Sequence, residues 1–212
     1  MKLKVLSRSV KGDAHKENED CLLIDIKRKL FAVADGVTIP KGGREASNKL
    51  VKYLIENFNG NLRTSILDAN NKLVRDRKEN KSIGYTTLTA VNIKDNYINV
   101  CHVGDSFLFI FRDNKLIKVT EEDRTPVVHF LNKAMGRYIE NVKEYKEIIE
   151  NNDLITLTTD GLVDAIGING IEEVLKINKD LSYAIDGLIK KGKESNVLYK
   201  DDLSVLFIKM GL

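Results

Sequence analysis

Residues 21–36 read CLLIDIKRKLFAVADG, and this stretch decides the fold. Cys21–Ile26 and Leu30–Ala34 are apolar runs of strand length. The charged turn Lys27-Arg28-Lys29 separates them. A link that short makes antiparallel neighbours, since a parallel pair needs a crossover of a dozen residues or more. The second run ends on Asp35-Gly36, which places a carboxylate and a turn-former at the mouth of a strand.

Working outward, Leu3–Val10 reads as another strand, with Leu3 and Val5 alternating with Lys2 and Lys4. From Gly43 the period changes: Ala46, Leu50, Val51, Leu54, Ile55 and Phe58 recur at helical spacing. After the Gly60-Asn61 break, Ile66, Ala69, Leu73 and Val74 form a second apolar stripe. Strands return at Thr86–Ile93, Tyr97–Val103 and Phe107–Arg112, with turns at 94–96 and 113–114, and continue at Lys143–Ile149 and Leu154–Thr159. Helical spacing reappears over Ile171–Ile177 and Leu181–Ile189, and Leu203–Ile208 closes the chain as a strand. Strands, two helices, many strands, helices, strand: this order predicts an α+β layered domain with helices on the outer faces of antiparallel sheets. No repeat or linker divides the chain, so 1–212 is expected to be one domain.

Composition excludes several classes. Hydrophobic residues make up 42% and charged residues 31% of 212, an ordinary globular balance. No apolar stretch approaches the roughly 20 residues of a membrane span. The net charge of +3 is small, and the densest charged run, Arg75–Lys81, interleaves its signs. It reads as a solvated helix end, not a nucleic-acid patch. Cys21 and Cys101 each lie inside apolar runs, which fits buried thiols in a reduced, cytoplasmic compartment.

Five acidic islands sit at ends of the strand-like runs: Asn18-Glu19-Asp20, Asp35-Gly36, Gly104-Asp105-Ser106, Asp160-Gly161 and Asp201-Asp202. Each alone reads as a turn or a charged strand entry. Together they are a reason to bring several carboxylates to one rim, where mutual repulsion favours a hard divalent cation with oxygen ligands.

The islands and their flanks occur in a set order: Gly12…Asn18-Glu19-Asp20, FAVADG (31–36), GGREAS (42–47), GYTTLTA (84–90), HVGDS (102–106), LNKAMG (131–136), LTTDGL (157–162) and DDLSVL (201–206). Taken together they resemble the metal-dependent serine/threonine protein phosphatases of type 2C, over nearly the whole chain. The resemblance implies a four-layer α–β–β–α sandwich with a two-metal site at one rim, and hydrolysis of phosphoserine and phosphothreonine proteins with two Mn²⁺ or Mg²⁺ ions. It assigns Asp35 as the carboxylate bridging both metals and the Gly36 carbonyl as a ligand of the first. Asp160 and Asp201 fall to the second metal, Glu19 and Asp20 to orienting water, and Asp105 to a third, weaker metal. Two ions about 3.5–4 Å apart can share a water, lower its pKa and stabilise charge on the phosphoryl oxygens. A monomer without nucleic-acid or membrane partners is expected. The rival readings are a pseudophosphatase that binds phosphoproteins and a regulator with one dedicated protein substrate.

The chain departs from that pattern at four places. His15 stands where the family usually has a phosphate-gripping arginine. Three roles are open to it: a weaker phosphate ligand, a position whose task Lys16 takes over, or a plain loop histidine. Phe107 replaces the arginine that often follows the GDS motif and is expected to pack in its strand; His102 and His129 are expected to be structural. The stretch from Asp123 to Ala134 is shorter than the family's flap, which removes substrate contacts and a ligand for the third metal. Asp201-Asp202 replaces a frequent Asp-Asn pair, adding a charge expected to tighten or crowd the second metal.

Overall fold

A computed structural model describes residues 2–124 and 131–211. The described elements are β1 (Leu3–Val10), β2 (Cys21–Asp25), β3 (Leu30–Ala34), α1 (Gly43–Asn57), α2 (Leu62–Glu79), β4 (Leu88–Ile93), β5 (Tyr97–Val103), β6 (Phe107–Arg112), β7 (Lys115–Lys118), β8 (Lys143–Ile148), β9 (Leu154–Thr158), α3 (Asp160–Ile177), α4 (Leu181–Lys193) and β10 (Leu203–Met210). They form two five-stranded sheets, ordered β1-β10-β9-β6-β7 and β2-β3-β4-β5-β8, with antiparallel neighbours throughout.

Side-chain alternation builds the layers, because successive residues of a strand point to opposite faces. In β3, Leu30, Ala32 and Ala34 join the core under α1 and α2, with Leu50, Leu54, Ile66 and Leu73. Phe31 and Val33 point the other way, into a core between the sheets with Leu108, Ile110, Leu206 and Ile208. In β6 and β10, Phe107, Phe109, Val205 and Phe207 face a third core under α3 and α4. Three stacked cores require four layers, so the chain is an α–β–β–α sandwich. Each fully buried phenylalanine or leucine contributes about 1.5–3 kcal/mol relative to exposure.

Local chemistry sets the helix starts. The Asn61 side chain caps α2 by accepting the Thr64 N–H at 3.1 Å, and Asp180 caps α4 by accepting the Ser182 N–H at 2.7 Å. Two elements exceed the sequence reading. Strand β7 is a short, mostly exposed edge with the sequence KLIK, which carries no apolar alternation. Helix α3 starts at Asp160, eleven residues before the expected helix, and contains a break at Gly167 (φ 69°, ψ 164°). That left-handed φ suits glycine, and the break interrupts the 3.6-residue period from which a helix is read. Asp160-Gly161 is therefore a helix N-terminus, not a turn.

The antiparallel arrangement delivers the islands to one rim. Strands β1, β3, β5 and β9 run toward it, while β2, β4, β6 and β10 leave it, as the pairs Cys21↔Ala34, Val10↔Leu203, Leu88↔Val103 and Phe107↔Thr158 show. Segment 104–106 links the two sheets there, since β5 and β6 belong to different sheets.

Candidate metal centre

The rim is built from strand ends whose backbones are tied to one another. Asp35 leaves β3 with its N–H donated to Thr87 Oγ1 (3.0 Å), while its carbonyl accepts the Thr87 N–H (2.8 Å) and the Thr86 hydroxyl (2.7 Å). Thr87 Oγ1 lies 2.7 Å from Ser106 Oγ, which ties Asp35 to the turn that carries Asp105. Segment 18–20 is fixed from both sides. The Glu19 carbonyl accepts the Gly36 N–H and the Ser47 hydroxyl, and the Asp20 N–H is donated to Asn18 Oδ1. Asp20 Oδ2 accepts the Thr159 hydroxyl at 3.0 Å.

Gly36 lies against the start of α1 with no room for a side chain. A Cβ there would stand 2.4 Å from the Gly43 carbonyl carbon and 2.7 Å from the Glu19 carbonyl oxygen. Both are backbone atoms, so Gly36→Ala is expected to push α1 away from β3. The carbonyl of residue 36 should move with it, and Mn²⁺ affinity should fall by about tenfold or more. Calorimetric Mn²⁺ titration checks this; an affinity equal to wild type would remove residue 36 from the site.

Electrostatics marks the same place. Burial, then the charges of Asp20, Asp160, Asp201 and Asp105, hold the Asp35 carboxyl well above the usual range. Burial, with Asp105 and Asp201 nearby, does the same to Asp160. Burial pushes Asp20 up to about 7 against hydrogen bonds from Ser204 and Thr159, and burial likewise raises Asp201 and Glu19. Three buried carboxylate oxygens, Glu19 Oε2, Asp20 Oδ1 and Asp160 Oδ1, have no hydrogen-bond partner among the described residues. Carboxylates that are crowded, pushed up and partly orphaned fit hard divalent cations, which take oxygen ligands. The residues therefore suit Mg²⁺ or Mn²⁺.

Of the three readings of His15, the plain exposed loop histidine is the one that its burial does not fit. It is buried, at 8% exposure, with Nδ1 2.8 Å from Asp202 Oδ2 and Nε2 within 3.0 Å of both Tyr199 Oη and Thr38 Oγ1. Burial lowers its pKa, but the hydrogen bond to Asp202 and the charges of Asp201, Asp202 and Glu19 outweigh that and raise it. Asp202 is engaged by neighbouring backbone and by His15, while its charge still pushes Asp20 and Asp201 up. Its carboxylate is 2% exposed and accepts the Gly12 N–H (2.8 Å), the Glu19 N–H (2.7 Å) and the His15 ring. His15, Asp201 and Asp202 lie close enough to suggest a cation site, but Asp202 and both His15 nitrogens are already spent on these bonds.

The remaining sequence expectations divide. Phe107 is buried and stacks on Phe109. His102 is buried, bonded to Thr89 Oγ1 and the Gly104 carbonyl, and burial lowers its pKa to about 4. His129 and the middle of the shortened stretch lie outside the described residues. Cys101 is buried and Cys21 half-buried, both as free thiols pushed up by burial, to about 12 and about 11. Sequence reasoning missed Arg124, whose guanidinium reaches Asp160 and Asp164, and the supporting role of Thr87 and Thr159. The two threonines lie inside the quoted motifs, so a signal existed for them. A single arginine outside any motif offered none.

Beside the rim opens a cleft of about 700 Å³ lined by His15, Lys16, Glu19, Thr38, Lys41 and Arg44, among others. Arg44 pairs with Glu17; Lys16 and Lys41 have no hydrogen-bond or ion-pair partner among the described residues. Among the described residues, no helix is long and apolar enough to cross a membrane.

Comparison with known proteins agrees with this fold. The serine/threonine phosphatase PstP/Ppp of Mycobacterium tuberculosis has the same fold at a TM-score of 0.88 and 22% identity, with 99% of each chain covered. Stp1 of Staphylococcus aureus matches at a TM-score of 0.89 and 19% identity, over 100% of this chain and 96% of its own. A catalytic domain of PstP solved in complex with two manganese ions gives a TM-score of 0.85 at 23% identity, with 99% of each chain covered. Among curated proteins, the serine/threonine phosphatase stp of Listeria welshimeri is 24% identical over 92% of this chain and 88% of its own. Protein phosphatase 2C homolog 7, mitochondrial, of Saccharomyces cerevisiae is 29% identical over half of this chain, a match spanning 36% of the yeast protein. A family model described as Protein phosphatase 2C matches residues 12–186, which takes in every island except Asp201-Asp202. On that match the chain belongs to the protein phosphatase 2C family.

Proposed function

We propose that this chain is a divalent-metal-dependent hydrolase of phosphoserine and phosphothreonine proteins. The observation that carries the reading is the convergence of Asp20, Asp35, Asp160 and Asp201 at one rim, with buried carboxylate oxygens left unpartnered. In this reading Asp35, the Gly36 carbonyl, Asp160 and Asp201 hold two Mn²⁺ or Mg²⁺ ions. When bound, those ions supply charge neutralisation for the phosphoryl group and a water acidified toward neutral pH.

The chain's own residues do the rest. Asp35, mounted on Thr86 and Thr87, sits at the centre of the carboxylate cluster and fixes its geometry. Glu19 and Asp20, tied to Asp202 and Thr159, orient the attacking water by accepting hydrogen bonds from it. His15, with both ring nitrogens engaged, supports Asp202 in place of gripping phosphate. Lys16 and Lys41 in the adjoining cleft are the cations available for the substrate's phosphate, and they attract it as point charges without a bidentate fork.

The test uses purified protein with an aryl phosphate and a phosphothreonine peptide. Hydrolysis should require Mn²⁺ or Mg²⁺, vanish with chelator and return when the metal is restored. Protein that binds the metal but turns over neither substrate would be a pseudophosphatase, and the reading would fail.

A further inference from the structure

Arg124 is held where carboxylates gather. Its Nη1 lies 3.8 Å from Asp160 Oδ2, its Nη2 lies 3.3 Å from Asp164 Oδ1, and its side chain is 17% exposed. Its backbone is anchored through the preceding residue. The Asp123 N–H is donated to the Gly104 carbonyl (2.6 Å), Asp123 Oδ2 accepts the Gly104 N–H (3.2 Å), and Lys143 Nζ reaches Asp123 Oδ1 (2.8 Å). Arg124 itself forms a bridge with Leu131. The guanidinium is thus positioned from the same Gly104 turn that presents Asp105. Its charge reaches Asp105 as well: burial pushes that carboxyl up to about 6, and Arg124 is the main influence opposing the rise.

We propose that Arg124, paired with Asp160 and Asp164 and anchored beside the turn that carries Asp105, is the built-in third cation of this rim, so that the chain takes two divalent ions and not a third. This rests on the two-ion reading above. A guanidinium stays charged at any working pH and matches a carboxylate with paired donors. A further divalent ion beside Asp105 would have to evict that ion pair or sit against a like charge at short range, and either cost works against it.

Equilibrium dialysis of the intact protein against Mn²⁺, followed by metal analysis, tests this. Wild type should bind about two ions per chain and Arg124→Gln about three, the added one weak; Arg124→Lys, which keeps the charge, should stay at about two. Adding Asp105→Asn to Arg124→Gln should return the count to about two. Three ions on wild type, or two on Arg124→Gln, would overturn the assignment while leaving the two-ion reading intact. Fewer than two on wild type would overturn both.

Discussion

Asp35→Asn should lower the turnover of phosphopeptide by about 10³-fold or more, equivalent to roughly 4 kcal/mol of transition-state stabilisation. The amide has the shape of the carboxylate, and the backbone bonds to Thr86 and Thr87 do not involve the side chain, so the fold should survive. What is lost is the charge at the centre of the cluster, since Asp35 feels Asp20, Asp160, Asp201 and Asp105 together. A second readout separates this from simple damage. In wild type, saturating Mn²⁺ at about 100 times its Kd should stabilise the fold by about 2.7 kcal/mol, or roughly 5–10 °C in Tm. In Asp35→Asn that gain should largely vanish, while the metal-free variant melts above metal-free wild type because one repelling charge is gone. The pH dependence follows from the same crowding. Asp20 is raised from 3.8 to about 7, so it binds its proton more tightly when folded. Its contribution is full below the unfolded value and is lost as pH rises through the folded one. Chelated wild type should therefore lose Tm between about pH 4 and 7, and Mn²⁺ should restore it. Activity within tenfold of wild type in Asp35→Asn would remove Asp35 from the metal centre.

The layers and the rim were legible for a physical reason. Strand ends are where a chain changes direction, so Asp35 after FAVA and Asp201 before LSVLF had to lie at sheet edges wherever the sheets went. In β3 every residue is buried, so the run shows a strand but not which face meets α1 and which meets the second sheet. Helix α3 was read from only its second half because Gly167 breaks its period. At the rim, Asp160 and Asp105 could be singled out because carboxylates in motifs announce themselves. The opposite held for Asp202 and Arg124, whose roles depend on partners far away in the chain. Asp202 looked like one more negative charge for the metals, yet its oxygens close on Gly12, His15 and Glu19, nearly the full length of the chain away. Such pairings are properties of the folded rim and leave no local pattern to read.

Asp202→Ala should be the most destabilising single change at this rim, by about 3–5 kcal/mol. The buried carboxylate satisfies two backbone N–H groups and the His15 ring, and a methyl group satisfies none of them. For a chain of this size the loss should lower Tm by roughly 10 °C, measured in chelator so that metal binding does not contribute. Asp202→Asn should cost less, about 1–3 kcal/mol. Its remaining oxygen can still accept from Gly12, but an NH₂ then faces the Glu19 N–H and leaves that donor unmet. His15→Phe tests the pairing from the other side, because it removes the ring donor while keeping much of the packing against Tyr199. If His15 and Asp202 act as one unit, the double variant His15→Phe/Asp202→Ala should be less destabilised than the sum of the singles by at least about 1 kcal/mol. Strict additivity, or an Asp202→Ala Tm within about 2 °C of wild type, would show that the contact carries little energy. The consequence for catalysis lies in Glu19, whose N–H is held by the same carboxylate. Loss of Asp202 should free segment 18–20 and lower kcat even under conditions where the variant is fully folded.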